Sequence, residues 1–228
     1  MLSILYEDNH CLAVAKPAGW LTMGDATGDR TLLDAAKDYL KTKYAKPGAV
    51  FLGVVHRLDR PVSGVVLYAR TSKAAARLSE QFRTHSAEKV YLAAVAGTNI
   101  PAAGELNDWL LKDEANNRSR SVKPHTPGAL ECRLTFRRVQ HTDRGTLLEI
   151  RPQTGRSHQI RVQLASRGWS ILGDTKYGGT KDFLPHSIGL HAARLTVQHP
   201  TTKQPLSIIC PLPSGWKTWG FREPRPEP

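Results

Sequence analysis

The sequence predicts an α+β fold: a largely antiparallel or mixed sheet flanked by helices. Helical patterns are interspersed among many short apolar runs, and several stretches alternate apolar with polar residues. No repeat, low-complexity block or long Ser/Gly linker divides the 228 residues. Alternation marks strands with one buried face, as antiparallel sheets commonly have. One domain over 1–222 is expected, with a flexible tail at 223–228, where Pro alternates with charged residues.

The elements follow in order. Residues 12–15 are apolar and run into Lys16-Pro17-Ala18-Gly19, which reads as a strand stopped by a turn. Thr31 and Asp34 have capping-box spacing, and Leu32, Leu33, Ala36 and Leu40 recur at helical intervals, so a helix is expected over 32–44. Lys46-Pro47-Gly48 ends it. The apolar run 50–55 feeds His56-Arg57-Leu58-Asp59, and 64–69 reads as a buried strand, which places Asp59 on a loop between two strands.

Ser72 is positioned to cap a helix with Ala75, Leu78 and Phe82 on one face, leaving Lys73, Arg77 and Arg83 for solvent or a partner. Residues 89–96 are extended by pattern. Leu130, Cys132, Leu134 and Phe136 alternate with Glu131, Arg133, Thr135 and Arg137, which predicts a strand buried on one face. A further strand is expected over 145–150. A short helix over 157–167 would turn Ile160 and Leu164 inward and stop at Gly168, with last strands near 190–197 and 206–210.

Charge narrows the choice of partner. Lys and Arg total 32 against 20 Asp and Glu, a formal net charge of +12, and the pI is near 9.9. Such a surplus favours phosphate backbones or anionic membrane surfaces. No run of about 18 apolar residues is present to span a bilayer. The N-terminus lacks a basic region followed by a long apolar stretch, so an intracellular, cytoplasmic protein is expected. Cys11, Cys132 and Cys210 are odd in number and far apart, which fits reduced structural thiols better than disulfides or a metal site. The nine histidines show no metal-ligand spacing. Phosphate-loop, dinucleotide-binding and Gly-x-Ser-x-Gly hydrolase motifs are missing, and Ser63 has the wrong glycine spacing for the last.

Asp59 stands between Arg57 and Arg60, next to Pro61 and a Ser63-Gly64 turn. Adjacent cations favour its ionised form, and a strand-end loop can present it at a cleft as nucleophile or base. By local chemistry alone the same residues also fit an ordinary surface ion pair.

His56-Arg57-Leu58-Asp59-Arg60-Pro61-Val62-Ser63-Gly64 resembles the His-Arg-Leu-Asp-x-x-Thr-Ser-Gly signature of RluA-type RNA pseudouridine synthases, with Val62 in place of Thr. Other segments are similar to that family in the same order: Lys16-Pro17-Ala18-Gly19, Glu88-Lys89-Val90-Tyr91-Leu92-Ala93, Thr154-Gly155-Arg156-Ser157-His158-Gln159-Ile160-Arg161-Val162, Gly173-Asp174 with Tyr177-Gly178, and Leu190-His191-Ala192. Gln163 stands where many relatives carry His. Together the matches cover most of the chain.

The resemblance implies a pseudouridine synthase-like catalytic domain that isomerises uridine within ribosomal or transfer RNA, without cofactor or metal. It assigns Asp59 to ribose carbon 1, as nucleophile, or to the proton on carbon 2. Tyr91 would stack on the uracil, and Arg156 would pair with Asp59. Arg161 is a second candidate for that pairing. Arg57 would fill the space left by the extruded uridine, and Ile160 is a further substrate-binding candidate. Without the family, Tyr91 reads as a core or rim aromatic and Arg156 as a phosphate contact or helix-end residue. The expected state is a monomer with RNA as partner and no obligate protein partner. Many relatives carry an extra N-terminal RNA-binding domain, and its absence here is expected because the chain starts almost directly with the catalytic-domain strand. Target choice would then fall to the catalytic domain. Its basic stretch over 112–123, with Arg118 and Arg120, reads equally as a solvated charge run. The competing reading is a noncatalytic RNA-binding protein on the same fold.

Overall fold

The computed structural model describes residues 2–24, 28–97 and 99–224. Along the chain run β1 (Ser3–Glu7), β2 (Cys11–Lys16), α1 (Leu32–Lys43), β3 (Gly53–Val54), β4 (Ser63–Ala69) and α2 (Ser72–Arg83). They are followed by β5 (Glu88–Val95), β6 (Ala103–Asp113), β7 (Arg118–Val122), β8 (Leu130–Thr142) and β9 (Gly145–Pro152). The last elements are α3 (Gln159–Ala165), β10 (Leu190–Gln198) and β11 (Pro205–Ile209). Three helices are interspersed among these strands, giving the expected α+β fold. The chain forms two compact units, Met1–Lys89 with Ala192–Pro211, and Val90–His191 with Leu212–Pro228.

The first unit orders its strands β1, β2, β4, β10, with β11 along β10 and β3 along the end of β4. Every residue of β4 is buried, as its Val-rich run predicts. α1 begins with the expected capping box. The Thr31 hydroxyl accepts from the Asp34 amide at 3.2 Å, and the Asp34 carboxylate accepts from the Thr31 amide at 3.0 Å. Leu32, Ala36 and Leu40 face inward. α2 packs on β3 and β4. Its cap is Thr71 rather than Ser72, because the Thr71 hydroxyl is the one that accepts the Ala74 amide. Two of its cations are already engaged: Arg77 donates to the Pro200 carbonyl and Arg83 pairs with Glu80. Of the apolar run 50–55, only Gly53–Val54 pairs as strand.

The second unit orders its strands β5, β9, β8, β6, β7, every neighbouring pair antiparallel. The alternation on β8 holds for Cys132, Leu134 and Phe136, which are buried, whereas Leu130 is exposed. The basic stretch 112–123 has regular structure, with Lys112, Arg118, Arg120 and Lys123 exposed. It folds as the tip of a hairpin, with β7 paired to β6 from Trp109↔Val122 to Asp113↔Arg118. α3 is shorter than the predicted 157–167 helix. It starts after His158, whose φ of 54° is left-handed, and the chain leaves it through Gly168 at φ +77°. Ile160 and Leu164 face inward as expected, but so do Gln159, Arg161, Val162 and Gln163. Cys11, Cys132 and Cys210 are buried, and none forms a disulfide. Of the expected flexible tail, 225–228 lie outside the described residues, while the Glu223 carboxylate accepts from the Leu212 amide at 2.8 Å.

Candidate active site

Asp59 lies half-buried on the loop between β3 and β4, and hydrogen bonds from β4, Thr22 and Lys16 hold that loop. His56 anchors its start. Its Nε2 accepts from the Leu67 amide of β4 at 2.9 Å, and its ring stacks on Phe82 at 4.6 Å and 14°. Burial pushes the His56 pKa down to about 4, and the Lys89 charge works in the same direction. The ring is therefore neutral at pH 7 and can accept that bond. Leu58 is clamped next. The Thr22 hydroxyl donates to its carbonyl at 3.0 Å and accepts from its amide at 3.1 Å, while Tyr68 donates to the Thr22 carbonyl.

Beyond Asp59 the chain turns, with the Val62 amide donating to the Asp59 carbonyl at 3.0 Å. Val62 itself is 2% exposed. A hydroxyl at that position would need a buried partner, and Val removes the need. Gly64 is required by its neighbours: its φ is +128°, and a Cβ would lie 2.4 Å from the Ala192 carbonyl oxygen.

The first turn of the chain closes on the same loop. Lys16 is 1% exposed, and its ammonium donates to the carbonyls of Pro17, Trp20 and Arg60 at 3.2, 2.6 and 3.0 Å. The Gly19 amide also donates to the Arg60 carbonyl, and Arg60 Nε donates back to the Gly19 carbonyl. Burial pushes the Lys16 pKa down to about 7; the Asp59 carboxylate opposes that shift and the Arg60 cation adds to it. The sequence marks Lys16 as the start of a turn and part of a family-like segment, but not as a buried cation. Its signal was the Lys-Pro-x-Gly turn, but a buried lysine is rare enough that composition gives no hint of it.

Arg57 is exposed on the Asp59 loop, in the first unit. The other predicted site residues belong to the second. Tyr91 is half-buried on β5 opposite Ile150 of β9. Arg156 sits in the turn before α3 rather than at the helix start, where its amide donates to Gln159 Oε1 and its Nε donates to the Glu131 carbonyl at 3.1 Å. Ile160 and Arg161 lie on α3 and are buried. Arg161 grips Asp174 through two parallel bonds of 2.7 and 2.8 Å, with the two side chains 6% and 1% exposed. Gln163, the other departure from the family pattern, donates to the Leu106 carbonyl and to Asp108.

Among the described residues, Asp8, Cys11 and His199 bring potential metal ligands within 4.8 Å of one another. These groups are already engaged. Asp8 accepts from the amides of His10 and Cys11, from the Tyr6 hydroxyl and from His199 Nε2. His199 Nδ1 accepts from the Thr201 and Thr202 amides. The thiol of Cys11 is pushed up to about 12 by burial and by Asp8. The cluster is a hydrogen-bonded corner.

The residue pattern of the RNA pseudouridylate synthases matches residues 10–166, a stretch that includes Asp59, Tyr91, Arg156 and Arg161. The chain belongs to that family. Its relatives place it among the RluA-type members. The ribosomal large subunit pseudouridine synthase C of Vibrio vulnificus is 33% identical over 92% of this chain. The tRNA pseudouridine synthase C of Salmonella typhi is 35% identical over 95%. This chain spans 65% of the length of the Vibrio vulnificus protein and 61% of the tRNA pseudouridine synthase C of Pectobacterium carotovorum, but 87% of the Salmonella one. In fold it resembles human RNA Pseudouridylate Synthase Domain Containing 4, with a TM-score of 0.78 at 23% identity over 98% of this chain and 95% of that one.

Proposed function

We propose that this chain isomerises uridine to pseudouridine within ribosomal or transfer RNA, with Asp59 as its catalytic carboxylate. The observation that carries the reading is the family pattern over residues 10–166, within which Asp59 stands on a loop pinned by His56, Thr22 and Lys16. Rigid support of this kind keeps a reacting group near productive geometry without an ordering cost during reaction. Because the pattern draws on both compact units, it also supports treating 1–222 as one catalytic domain. The names of the relatives support RNA as partner: they act on the ribosomal large subunit or on transfer RNA.

The reaction rearranges bonds and consumes nothing. The bond from nitrogen 1 of the uracil to ribose carbon 1 breaks, and the base turns. Carbon 5 then bonds to ribose carbon 1, the proton on carbon 5 leaves, and nitrogen 1 gains one. Asp59 either attacks carbon 1 or takes the proton from carbon 2, and both routes start from an ionised carboxylate beside the sugar. The target nucleotide must first leave its stack, at a cost of a few kcal/mol. Arg57, exposed on the same loop, is suited to occupy the vacated space with its planar cation. The family resemblance implies a role at the uracil for the Tyr91 ring and a carboxylate-pairing role for the Arg156 guanidinium.

The test is a single-turnover assay on unmodified transfer RNA and ribosomal RNA transcripts. Native protein is expected to form pseudouridine, and Asp59→Ala to form none while still binding RNA. Activity that survives Asp59→Ala would overturn the assignment. RNA binding by native protein with no pseudouridine on any transcript would favour a noncatalytic RNA-binding role.

A further inference from the structure

In the second unit a cavity of about 460 Å³ opens between β7 and α3. Its floor is fixed. Val162 and Tyr177 are buried in one cluster with Leu110 and Cys132, and Ala165 packs against it. The Tyr177 phenol oxygen accepts from the Ser119 amide at 2.9 Å and lies 2.7 Å from His158 Nδ1, which holds the ring in place.

The rim has the opposite character. Arg118 and Arg120 stand on β7 and are exposed. Among the described residues neither has a carboxylate partner, although Arg133, Arg151, Arg161 and Arg167 of the same unit each do. Arg118 lies over the Tyr177 ring, 5.3 Å from its centre. One acidic residue, Asp113, lines the cavity; its carboxylate accepts from the amide and side chain of Asn116, and the Arg120 charge also acts on it.

We propose that this cavity is an RNA subsite for a nucleotide other than the one isomerised, with its base on Val162, Ala165 and Tyr177 and its phosphate on Arg118 and Arg120. The inference rests on the proposed reading that the chain acts on RNA. An apolar floor beside two exposed guanidiniums matches an unstacked base joined to a phosphodiester. Such pairings of π-face and cation are how single strands are held without sequence readout. The volume falls in the range of small-ligand sites. A carboxylate-bearing peptide would meet the same cations but would leave the apolar floor unused.

The test compares three proteins with native chain for binding to an unmodified transfer RNA transcript and to single-stranded oligouridylate, across a series of salt concentrations. Arg118→Ala/Arg120→Ala is expected to weaken binding and to reduce the slope of log affinity against log salt by about 1.4, since each lost phosphate contact on a single strand removes about 0.7. Ala165→Phe, which fills the floor, is expected to weaken binding with the slope unchanged; its unfolding midpoint is read alongside. Lys41→Ala/Lys46→Ala removes two exposed cations from the first unit. It should leave affinity within twofold of native.

A double arginine variant with native affinity and slope overturns the proposal, as does a lysine variant that loses as much as the arginine one. Absence of RNA binding by native chain overturns it too. Pseudouridine formation is measured on the same preparations. If native chain forms none, the proposed activity falls while the binding series still judges the cavity. If pseudouridine forms and the arginine variant binds normally, the cavity proposal alone falls.

Discussion

Lys16 in the first unit and Arg161 in the second are both buried cations, 1% and 5% exposed, but their partners differ in kind. Arg161 meets a carboxylate, Asp174, in a two-pronged bond, so the pair is neutral overall. Lys16 meets three neutral carbonyls and keeps its whole positive charge. A guanidinium stays charged at any working pH, whereas a buried ammonium titrates readily. The second unit thus carries a buried ion pair whose guanidinium keeps its charge at any working pH, and the first carries a cation beside Asp59 whose charge depends on pH.

The largest effect should come from breaking the neutral pair. Arg161→Met leaves Asp174 buried without its partner, and removal of one member of such a pair costs about 3–5 kcal/mol. Urea unfolding should show that loss. Arg161→Met with Asp174→Leu should recover most of it, because an apolar pair of similar volume has no charge to desolvate. If the double variant is as unstable as the single one, the pair is needed for more than mutual neutralisation.

That pairing also shows what the sequence left hidden. α3 is buried all round, so Gln159, Arg161 and Gln163 erase the amphipathic stripe that would have marked its length, and the prediction over 157–167 ran past both ends. β7 is not legible as a strand because Arg118-Ser119-Arg120-Ser121 has no apolar alternation. Its buried position is held by a serine, whose amide and hydroxyl bond to the Tyr177 phenol oxygen and the Ser157 carbonyl. By contrast, β4, β8, β9 and the Thr31 capping box were legible because each follows from local periodicity or a two-residue contact. The Asp59 loop was placed correctly between strands. Its supports were not visible, since Thr22 and Lys16 reach it from 36 and 44 residues away in the chain.

An intermediate effect is expected at Lys16. Three carbonyl acceptors need three N–H donors, and only the ammonium form has three. Folding lowers the Lys16 pKa from 10.5 to about 7, so between those values the unfolded chain binds a proton that the folded chain lacks. The Lys16 contribution to stability is therefore lowest below pH 7 and rises as pH climbs through that window. The Asp59 loop has the opposite need, because above pH 7 it loses a donor and a nearby cation. Pseudouridine formation by native chain should fall above about pH 7 while this stability contribution grows. Lys16→Met should lower the single-turnover rate by roughly tenfold to a hundredfold, as loss of a charged hydrogen bond of about 1.5–3 kcal/mol implies. Its rate should also lack the alkaline decline. An unchanged alkaline limb in the variant would assign that limb to another group.

The smallest effect isolates the uncharged part of the same loop. Thr22 is 4% exposed, and its hydroxyl both donates to and accepts from the Leu58 backbone. Thr22→Val keeps the shape and removes both bonds, so stability should drop by about 1–2 kcal/mol. No titrating group is involved, and the loss should be the same from pH 6 to 9. RNA affinity should stay native, because neither Thr22 nor Leu58 carries charge, while the single-turnover rate falls with the loosened Asp59 loop. A pH-dependent loss in Thr22→Val would mean that the hydroxyl and the Lys16 ammonium support the loop as one coupled network rather than as separate clamps, which a double-variant cycle with Lys16→Met would measure directly.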